Sequence, residues 1–333
     1  MNIIFMGTPE FAVPPLERLI EFGHQVVAVV TQPDKPVGRG RKMHHPPVKD
    51  AALRNGIPVL QPAKIRNCRF DDVLRPFQPD AIAVVAYGKI IPPEVLSLPR
   101  FGCLNIHASL LPKYRGAAPI QWAIINSERR TGVTIMQLDE GMDTGPVIAM
   151  EDIEILNDDD TISLSNMLSV LGGKLLTRIL DQVEASGRVE SQPQDHALAS
   201  YAPIMKKSDG LIDWSLTNEQ IICRINGLKP WPTAFSFLGD SMWKFLRTEP
   251  FDDPDHLYFT APDAPKTPHG SVTALARGRG FTIKTGDGHL LVTSIQPQGK
   301  RLMSGVDTIN GKQIKIGDQF ISNPELLDRA GGD

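Results

Sequence analysis

The sequence has few of the features that mark secreted, metal-binding or membrane-spanning proteins. Its 333 residues include three cysteines, Cys68, Cys103 and Cys223, at spacings that fit neither a disulfide framework nor a zinc site. The longest uninterrupted apolar run, residues 81–87, has seven residues, far below the roughly 20 that a membrane-spanning helix needs. Residues 1–5 enter an apolar, strand-like run without a basic leader. We therefore expect a soluble, cytoplasmic protein with reduced cysteines, no membrane contact and no targeting segment.

The chain also lacks an excess of either charge. It has 35 Lys and Arg against 38 Asp and Glu, a net charge of −3, which excludes a protein that coats nucleic acid by bulk attraction. Residues 34–49 nevertheless contain five Lys or Arg and one Asp. A basic, glycine-containing loop of this length is either a solvated loop or an arm that contacts phosphate groups. His44 and His45 in this loop have no carboxylate or cysteine at ligand spacing, so we expect no metal.

The first half of the chain alternates short β-branched runs with helical stretches. This pattern predicts an α/β domain with a mostly parallel sheet covered on both faces, in which ligands bind at the carboxyl ends of the strands. The dinucleotide fingerprint G-x-G-x-x-G is absent after the first strand, which excludes a nicotinamide-dependent dehydrogenase. The predicted strands are 3–6, 26–31, 58–60, 81–87, 103–107 and 133–138, and the predicted helices are 14–22, 48–55, 70–77, 117–127 and 161–186.

The composition of the sequence changes after residue 187. Residues 187–209 are polar and contain prolines, as in a linker that lies over the surface. We therefore divide the chain into a catalytic domain (1–187), a linker (188–208) and a C-terminal domain (209–333). One predicted helix and several short strands indicate that the C-terminal domain is a small antiparallel barrel, a fold that often binds oligonucleotides. These segments are 218–226 for the helix and 233–238, 242–246, 271–276, 281–285 and 289–296 for the strands.

A polar pair ends the fifth predicted strand. Asn105 and His107 are two residues apart, so their side chains share one face of the strand. An amide and an imidazole directed at one point can polarise a carbonyl and hold the oxyanion that forms on attack. A purely structural pair is the alternative, and these two residues alone do not decide between them.

A second polar element follows the next predicted strand. In Asp139-Glu140-Gly141-Met142-Asp143-Thr144-Gly145, two glycines permit a tight turn, so that Asp143 can project back toward the ligand edge of the sheet. Taken alone, this segment fits an ordinary acidic turn. Combined with the polar pair, it supplies an amide, an imidazole and a carboxylate, which suit acyl transfer through a tetrahedral intermediate.

Two motifs in fixed order carry a family resemblance. Asn105-x-His107-x-Ser109-Leu110-Leu111-Pro112 and Asp139-x-Gly141-x-Asp143-Thr144-Gly145, with Arg115-Gly116-Ala117-Ala118-Pro119 between them, resemble the 10-formyltetrahydrofolate-dependent formyltransferases. Further segments narrow the resemblance to members whose acceptor is methionyl initiator tRNA, and the similarity covers essentially the whole chain. These segments are Ile4-Phe5-Met6-Gly7-Thr8-Pro9, Thr31-Gln32-Pro33-Asp34, Gly38-Arg39-Gly40-Arg41-Lys42, Ala86-Tyr87-Gly88, Asp213-Trp214-Ser215 and Pro230-Trp231-Pro232.

The resemblance implies a fold, a reaction and a set of site residues. The fold is a Rossmann-like domain, a linker and an OB-like barrel; the donor is 10-formyltetrahydrofolate, the acceptor is methionyl initiator tRNA, and no metal takes part. We expect the chain to act as a monomer. By resemblance, the catalytic residues are Asn105, His107 and Asp143, the folate-contacting residues are Ser109, Leu110, Leu111 and Pro112, and the tRNA-contacting residues are Arg39, Arg41 and Lys42.

Three other functions stay open at this point. A formyltransferase acting on an amino-sugar nucleotide, on glycinamide ribonucleotide or on another small amine would need neither the basic loop nor an RNA-binding barrel. A formyltetrahydrofolate hydrolase would use the same three polar residues with water in place of the amine. A non-catalytic RNA-binding protein built on an inactive enzyme is disfavoured, because Asn105, His107 and Asp143 are all present.

Overall fold

A computed structural model of the chain describes residues 1–37, 42–66, 68–252, 257–260 and 267–329. No helix within these ranges is long and apolar enough to cross a membrane. The chain divides into two units, each made of three segments. Unit 1 comprises Met1–Pro119, Arg130–Glu154 and Ser163–Pro203, and unit 2 comprises Ile120–Arg129, Ile155–Ile162 and Ile204–Asp333.

Unit 1 is an α/β structure. Its strands are β1 (Asn2–Gly7), β2 (Gln25–Val30), β3 (Lys35–Val37), β4 (Lys42–His44), β5 (Val59–Leu60), β6 (Ala81–Val85), β7 (Cys103–His107), β8 (Arg115–Gly116), β9 (Arg130–Gln137), β10 (Val147–Glu154) and β11 (Tyr201–Ala202). The helices of this half of the chain are α1 (Val13–Glu21), α2 (Pro47–Arg54), α3 (Phe70–Leu74), α4 (Pro93–Leu96), α5 (Pro119–Ile125) and α6 (Thr161–Ser186), of which α5 and α6 each have one end in unit 2.

Among the described residues, seven strands form the main sheet of unit 1, in the order β10-β9-β7-β6-β1-β2-β5. Strands β7, β6, β1, β2 and β5 are parallel to one another, whereas β9 is antiparallel to β7 and β10 is antiparallel to β9. β6 and β7 are buried along their whole length, as expected of central strands covered on both faces. The predicted mostly parallel sheet is confirmed, with an antiparallel edge that the sequence pattern did not reveal.

The long helix α6 lies directly on the strand that carries the polar pair. A Cβ atom on Gly172 of α6 would stand 2.6 Å from Cγ2 of Ile106 in β7, closer than any side chain tolerates. Glycine at this position therefore lets the helix backbone approach the sheet. The close approach covers the face of β7 opposite to Asn105 and His107, since side chains alternate along a strand.

Unit 2 contains a second, antiparallel sheet. Its described strands follow the order β14-β15-β16-β17-β13-β12-β19, with β18 beside β17. The backbone amide of Phe320 donates to Gly270 and that of Val272 donates to Asp318, which joins β19 to the start of β15 and curls the sheet into a barrel. The strands are β12 (Ala234–Leu238), β13 (Ser241–Pro250), β14 (Leu257–Thr260), β15 (Val272–Ala276), β16 (Gly280–Lys284), β17 (His289–Pro297), β18 (Met303–Ser304) and β19 (Phe320–Ile321), and the helices are α7 (Asn218–Gly227), α8 (Gly305–Asn310) and α9 (Leu326–Arg329). The predicted small antiparallel barrel is confirmed.

Aromatic side chains fill the barrel around Phe320. Its ring centroid lies 5.2 Å from that of Phe245, 5.8 Å from Trp243 and 6.3 Å from Trp214. The indole nitrogen of Trp214 donates to Ser236 Oγ at 3.0 Å, so its polar atom is satisfied inside the core. The Asp213-Trp214-Ser215 segment thus has a structural role in the barrel.

Replacing Phe320 by alanine tests the importance of this aromatic core. Because the ring is 1% exposed, we expect Phe320→Ala to lower the free energy of unfolding by about 3–5 kcal/mol, measured by urea unfolding followed through tryptophan fluorescence. Leu302, which is 53% exposed in the same unit, is the control. Leu302→Ala should change the free energy of unfolding by less than about 0.5 kcal/mol. An unchanged midpoint for Phe320→Ala would contradict this account of the core.

Candidate active site

Asn105 and His107 lie on one face of β7, as the sequence predicts. The strand runs between β6 and β9, with Asn105 opposite Met136 and His107 opposite Thr134 of β9. Asn105 is 9% exposed and His107 is 6% exposed. No described residue hydrogen-bonds the amide of Asn105, so this buried amide is available to a ligand.

The imidazole of His107 is held between a carbonyl and a carboxylate. Its Nε2 lies 2.9 Å from the carbonyl oxygen of Tyr114, and its Nδ1 lies 3.6 Å from Oδ2 of Asp143. A carbonyl only accepts hydrogen bonds, so Nε2 carries a proton and donates it. Nδ1 is therefore the ring nitrogen left free to exchange a proton, and it faces Asp143.

Asp143 reaches His107 by an indirect route. Because β9 is antiparallel to β7, the loop after β9 starts at the opposite end of β7 from His107, where the amide of Leu138 donates to the carbonyl of Cys103. The loop then returns along the sheet, and Asp143 adopts the left-handed backbone conformation with φ of +53°. Asp143 therefore projects back toward the strand of Asn105 and His107, as expected, although the strand before it is not parallel to β7.

Two glycines permit the tight path of this loop. A Cβ on Gly145 would lie in contact with the carbonyl oxygen of Gln137, and a Cβ on Gly141 would lie against Oγ1 of Thr144. Asp139 accepts hydrogen bonds from the Gly141 amide at 3.0 Å and from the Thr144 hydroxyl at 2.7 Å, which closes the turn. The predicted tight glycine turn is therefore present, and Asp139 serves the turn itself.

The Asp143 carboxylate is fixed by a backbone amide of β8. Oδ2 of Asp143 accepts a hydrogen bond of 2.8 Å from the amide of Gly116, and it is the same oxygen that faces His107 Nδ1. A carboxylate held by an amide donor stays in place when the imidazole changes its protonation.

One buried glutamine of the site was missed by sequence reasoning. Gln194 is 8% exposed, and its Nε2 donates to the carbonyl oxygens of Asp143 at 2.9 Å and Gly145 at 2.7 Å. Its Oε1 accepts from the Arg115 guanidinium, through Nη2 at 2.7 Å and Nε at 3.2 Å. Gln194 lies in the polar stretch interpreted as a linker, where nothing in the sequence marks it as buried.

The segment predicted as a surface linker is tied to the site at two places. Gln192 exchanges two backbone hydrogen bonds with Val147 at the start of β10, and β11 pairs in parallel with β8. The hydroxyl of Ser200 accepts from the Tyr114 amide at 2.9 Å, which stabilises the residue whose carbonyl holds His107. Residues up to Pro203 group with unit 1, so much of this stretch is part of the catalytic structure.

The predicted folate-contacting residues form the loop that follows β7. Ser109 and Leu111 are buried, whereas Leu110 and Pro112 are half-buried and keep apolar surface for a ligand. Thr134 anchors the loop: its hydroxyl donates to the Ser109 carbonyl at 2.7 Å and accepts from the Leu111 amide at 3.1 Å. The backbones of Ser109 and Leu111 are thus held to β9 by Thr134. Thr134 is a second residue of the site that sequence reasoning missed.

Cys103 stands at the start of β7, and its thiol takes no part in the hydrogen bonds of the site. It is 1% exposed, and burial raises the pKa of its thiol to about 12. The thiol therefore stays protonated at neutral pH and is no nucleophile, so Cys103 is a packed core residue.

One of the three predicted tRNA-contacting residues lies in the strand pair formed by β3 and β4. Arg39 and Arg41 lie outside the described residues, and Lys42 begins β4. At the base of the hairpin, the Lys49 ammonium donates to Asp34 at 2.7 Å. Hydrogen bonds from Gln61 and from Lys49 lower the pKa of the Asp34 carboxyl below its ordinary value. Lys49, which contributes to the basic excess of the loop, is thus engaged by the protein itself.

Within the described ranges, no group of three or more His, Cys, Asp or Glu side chains is arranged to hold a metal ion. His45 contacts carboxylates instead, with Nδ1 2.8 Å from Asp50 Oδ1 and Nε2 3.6 Å from Asp34 Oδ2. The absence of a metal in the reaction stays a prediction.

Comparison with known families identifies the group to which this arrangement belongs. The family described as formyl transferase matches residues 1–180, and the family described as formyl transferase, C-terminal domain, matches residues 204–313. The chain belongs to the formyltransferase family. The resemblance inferred from the two ordered motifs is thereby confirmed.

Full-length relatives within the formyltransferase family are similar to this chain from end to end. A protein named methionyl-tRNA formyltransferase from Citrifermentans bemidjiense is 45% identical over 317 residues, which cover 95% of both chains. One of the same name from Pelotomaculum thermopropionicum is 44% identical over 95% of this chain and 97% of its own.

Two solved structures share the fold at much lower sequence identity. An N-formyltransferase from Helicobacter canadensis, in complex with folinic acid and dTDP-3-aminofucose, aligns with a TM-score of 0.61 at 20% identity, over 87% of this chain and 97% of its own. HypX from Aquifex aeolicus aligns with a TM-score of 0.64 at 17% identity, over 96% of this chain and 49% of its own. These likenesses show the common fold.

Proposed function

We propose that this formyltransferase moves the formyl group of 10-formyltetrahydrofolate to the α-amine of methionyl initiator tRNA, giving N-formylmethionyl-tRNA for translation initiation. Full-length relatives that are 42–45% identical carry the name methionyl-tRNA formyltransferase, which supports the acceptor. The observation that supports the chemistry is the set of contacts around His107. Its imidazole contacts the Tyr114 carbonyl and the Asp143 carboxylate, and Asn105 lies on the same face of β7 with its amide free.

The donor set of the site fits a formyl compound attached to a flat heterocycle. Asn105 offers an amide with no partner among the described residues, which suits a carbonyl oxygen that gains negative charge. Leu110 and Pro112, in the loop that follows the same strand, offer half-buried apolar surface, which suits an aromatic ring system. The Helicobacter canadensis N-formyltransferase structure contains folinic acid, and a HypX structure from Aquifex aeolicus contains tetrahydrofolic acid, which supports a folate donor here.

Each polar residue has a separate task in the proposed mechanism. The donor supplies a formyl carbon bound to a nitrogen that can leave. Asn105 Nδ2 donates a hydrogen bond to the formyl oxygen and stabilises the negative charge that develops there. His107 adds positive charge on the same face of β7 when Nδ1 is protonated, and Asp143 Oδ2 at 3.6 Å stabilises that charge.

The proton released by the amine needs a path but no strong base. An α-amino group titrates near pH 8 in peptides, so a sufficient fraction is neutral and nucleophilic at physiological pH. Because Nε2 of His107 is committed to the Tyr114 carbonyl, proton exchange is restricted to Nδ1 and to the carboxylate of Asp143. These two groups receive the proton from the attacking amine and return it to the departing nitrogen.

Recognition of tRNA is assigned to the basic hairpin segment 34–49 and to the barrel. A formyltransferase for a small acceptor such as an amino-sugar nucleotide requires neither feature. A hydrolase, whose acceptor is water, requires neither of them either. The barrel carries several Lys and Arg, although Arg279 is ion-paired with Glu249 and Lys300 donates to Gln313. Local rather than overall positive charge predicts a modest, salt-sensitive affinity for tRNA. We also propose a monomeric, cytoplasmic enzyme with a catalytic domain (1–187) and a C-terminal domain (209–333). The segment between them (188–208) is more than a linker, because its residues up to Pro203 group with unit 1.

The first test is formyl transfer from labelled 10-formyltetrahydrofolate to charged initiator tRNA. Parallel reactions contain charged elongator methionyl-tRNA, an amino-sugar nucleotide, or the donor alone. We expect label on the initiator tRNA only. Label released as formate without an acceptor would indicate the hydrolase, and label on the sugar nucleotide would indicate the small-amine alternative.

Asn105→Ala tests the oxyanion role. Because the amide is the unpartnered donor of the site, its loss should lower kcat by about 100-fold, with little change in the KM for either substrate. Initial rates with saturating methionyl-tRNA measure this effect. Asn55→Ala is the control, since Asn55 is exposed at the end of α2, away from the carboxyl ends of the strands. An Asn105→Ala enzyme with unchanged turnover would defeat the assignment.

Arg41→Ala tests the basic segment. Removing one phosphate contact should lower kcat/KM for methionyl-tRNA and reduce the slope of log affinity against log salt by about one, while the KM for the folate donor stays unchanged. Arg69→Ala is the matched control, because Arg69 is exposed and pairs locally with Asp72. Equal kinetics of the Arg41 variant and the unmodified enzyme with tRNA at moderate salt would count against a role for Arg41.

A further inference from the structure

Gln194 is unusual among its neighbours, because it is buried in a segment that is otherwise exposed. Residues 191–193 and 195–198 are all exposed, whereas Gln194 is 8% exposed. Its amide makes four hydrogen bonds, which fills both hydrogens of Nε2 and both lone pairs of Oε1. A buried amide that is fully satisfied specifies one arrangement of its surroundings.

The chemistry of the partners fixes the orientation of this amide. The Arg115 guanidinium can only donate, so it selects Oε1, and the carbonyls of Asp143 and Gly145 can only accept, so they select Nε2. A flipped amide would lose all four hydrogen bonds. Gln194 therefore connects a buried cation to the loop of the catalytic carboxylate in one defined geometry.

The cation at the other end of this connection is itself buried. Arg115 is 2% exposed, and its side chain hydrogen-bonds Gln194 and, at 3.1 Å, Nδ1 of His196. The next residue, Gly116, donates its amide to the Asp143 carboxylate. The Arg115-Gly116 pair of β8 thus holds Asp143 twice: through Gln194 at the main chain, and directly at the side chain.

We propose that Gln194 is a positioning residue for formyl transfer, which sets the place where the Asp143 carboxylate meets His107. Asp143 has a positive φ of +53°, a conformation that a non-glycine residue keeps only when its surroundings impose it. The two hydrogen bonds from Gln194 bind the carbonyls of Asp143 and Gly145 and so hold the backbone of the loop in which this conformation occurs. This inference rests on the proposed function, because it concerns the same site.

Gln194→Glu separates the two halves of this network. Glutamate has nearly the same size, and its carboxylate still accepts from Arg115, so the buried guanidinium keeps a partner. It has no N–H for the carbonyls of Asp143 and Gly145 and places an oxygen against them instead. Gln194→Ala is less suitable, since it would remove the main partner of a buried charge and affect folding.

The kinetic test compares Gln194→Glu in two backgrounds. Displacement of a catalytic group by about 1 Å can cost 100-fold in rate, so we expect kcat to fall about 10- to 100-fold, with KM values for donor and tRNA within about threefold. The second background is an Asp143→Asn enzyme, measured under single-turnover conditions. There Gln194→Glu should lower the rate constant by less than about threefold, because the carboxylate that Gln194 positions is already absent.

The matched control is Gln192→Glu, which introduces the same charge two residues away. Gln192 has an exposed side chain, and its two hydrogen bonds to Val147 are made by the backbone. Its kcat should equal that of the unmodified enzyme. A kcat for Gln194→Glu within twofold of the unmodified enzyme would overturn the proposal, as would an equal loss in both backgrounds, which would indicate a merely structural role.

A measurement without any acceptor distinguishes failure of this inference from failure of the proposed function. The ¹⁵N resonances of the His107 ring report the approach of the Asp143 carboxylate. We expect them to shift in Gln194→Glu but not in Gln192→Glu, and to differ little between Asp143→Asn and the double variant. Unshifted resonances in Gln194→Glu would refute the positioning role whatever the acceptor proves to be, whereas an unmodified enzyme inactive toward methionyl-tRNA would refute the proposed function alone.

Discussion

The reversal of chain direction between β7 and β9 is the constraint on which the site depends. Were β9 parallel to β7, the loop that follows it would start beside His107. Because β9 is antiparallel, that loop starts beside Cys103 and must return along the strand to place Asp143 3.6 Å from His107. Three features accompany this return path: glycine at positions 141 and 145, a positive φ at Asp143, and the buried amide of Gln194 that binds the loop.

The return path is stabilised from outside the central sheet. The short strand β8 supplies Gly116, whose amide binds the Asp143 carboxylate, and Arg115, whose guanidinium binds Gln194. The pairing of β11 with β8 and of Gln192 with Val147 attaches the later segment to the same framework. A charged network of this kind is expensive to bury unless its polar groups are satisfied. The four hydrogen bonds of Gln194 satisfy its amide and give the Arg115 guanidinium a buried acceptor.

Chemistry and substrate recognition have different physical requirements in this protein. The proposed chemistry needs a few groups held within tenths of an ångström, and unit 1 places them on a buried strand and on loops tied by many hydrogen bonds. The proposed recognition of tRNA needs positive charge along an extended surface, which the basic segment 34–49 supplies although the chain as a whole is slightly acidic. The barrel of unit 2 has an aromatic core of its own.

The sequence by itself determined the α/β and barrel architecture, the strand that carries Asn105 and His107, and the chemical types that meet in the site. Those features follow from local periodicity and from short motifs, both of which involve residues that are close together in the chain. The bounds of β7 and α6 agree with the predicted ones, whereas the antiparallel edge strand β10, the hairpin β3–β4 and the short strand β8 were not predicted. Only the tertiary structure decided the direction of β9, the proton-free nitrogen of neutral His107 and the burial of Gln194 and Thr134. Each of these depends on contacts between residues far apart in the chain, so no local pattern of residues encodes it.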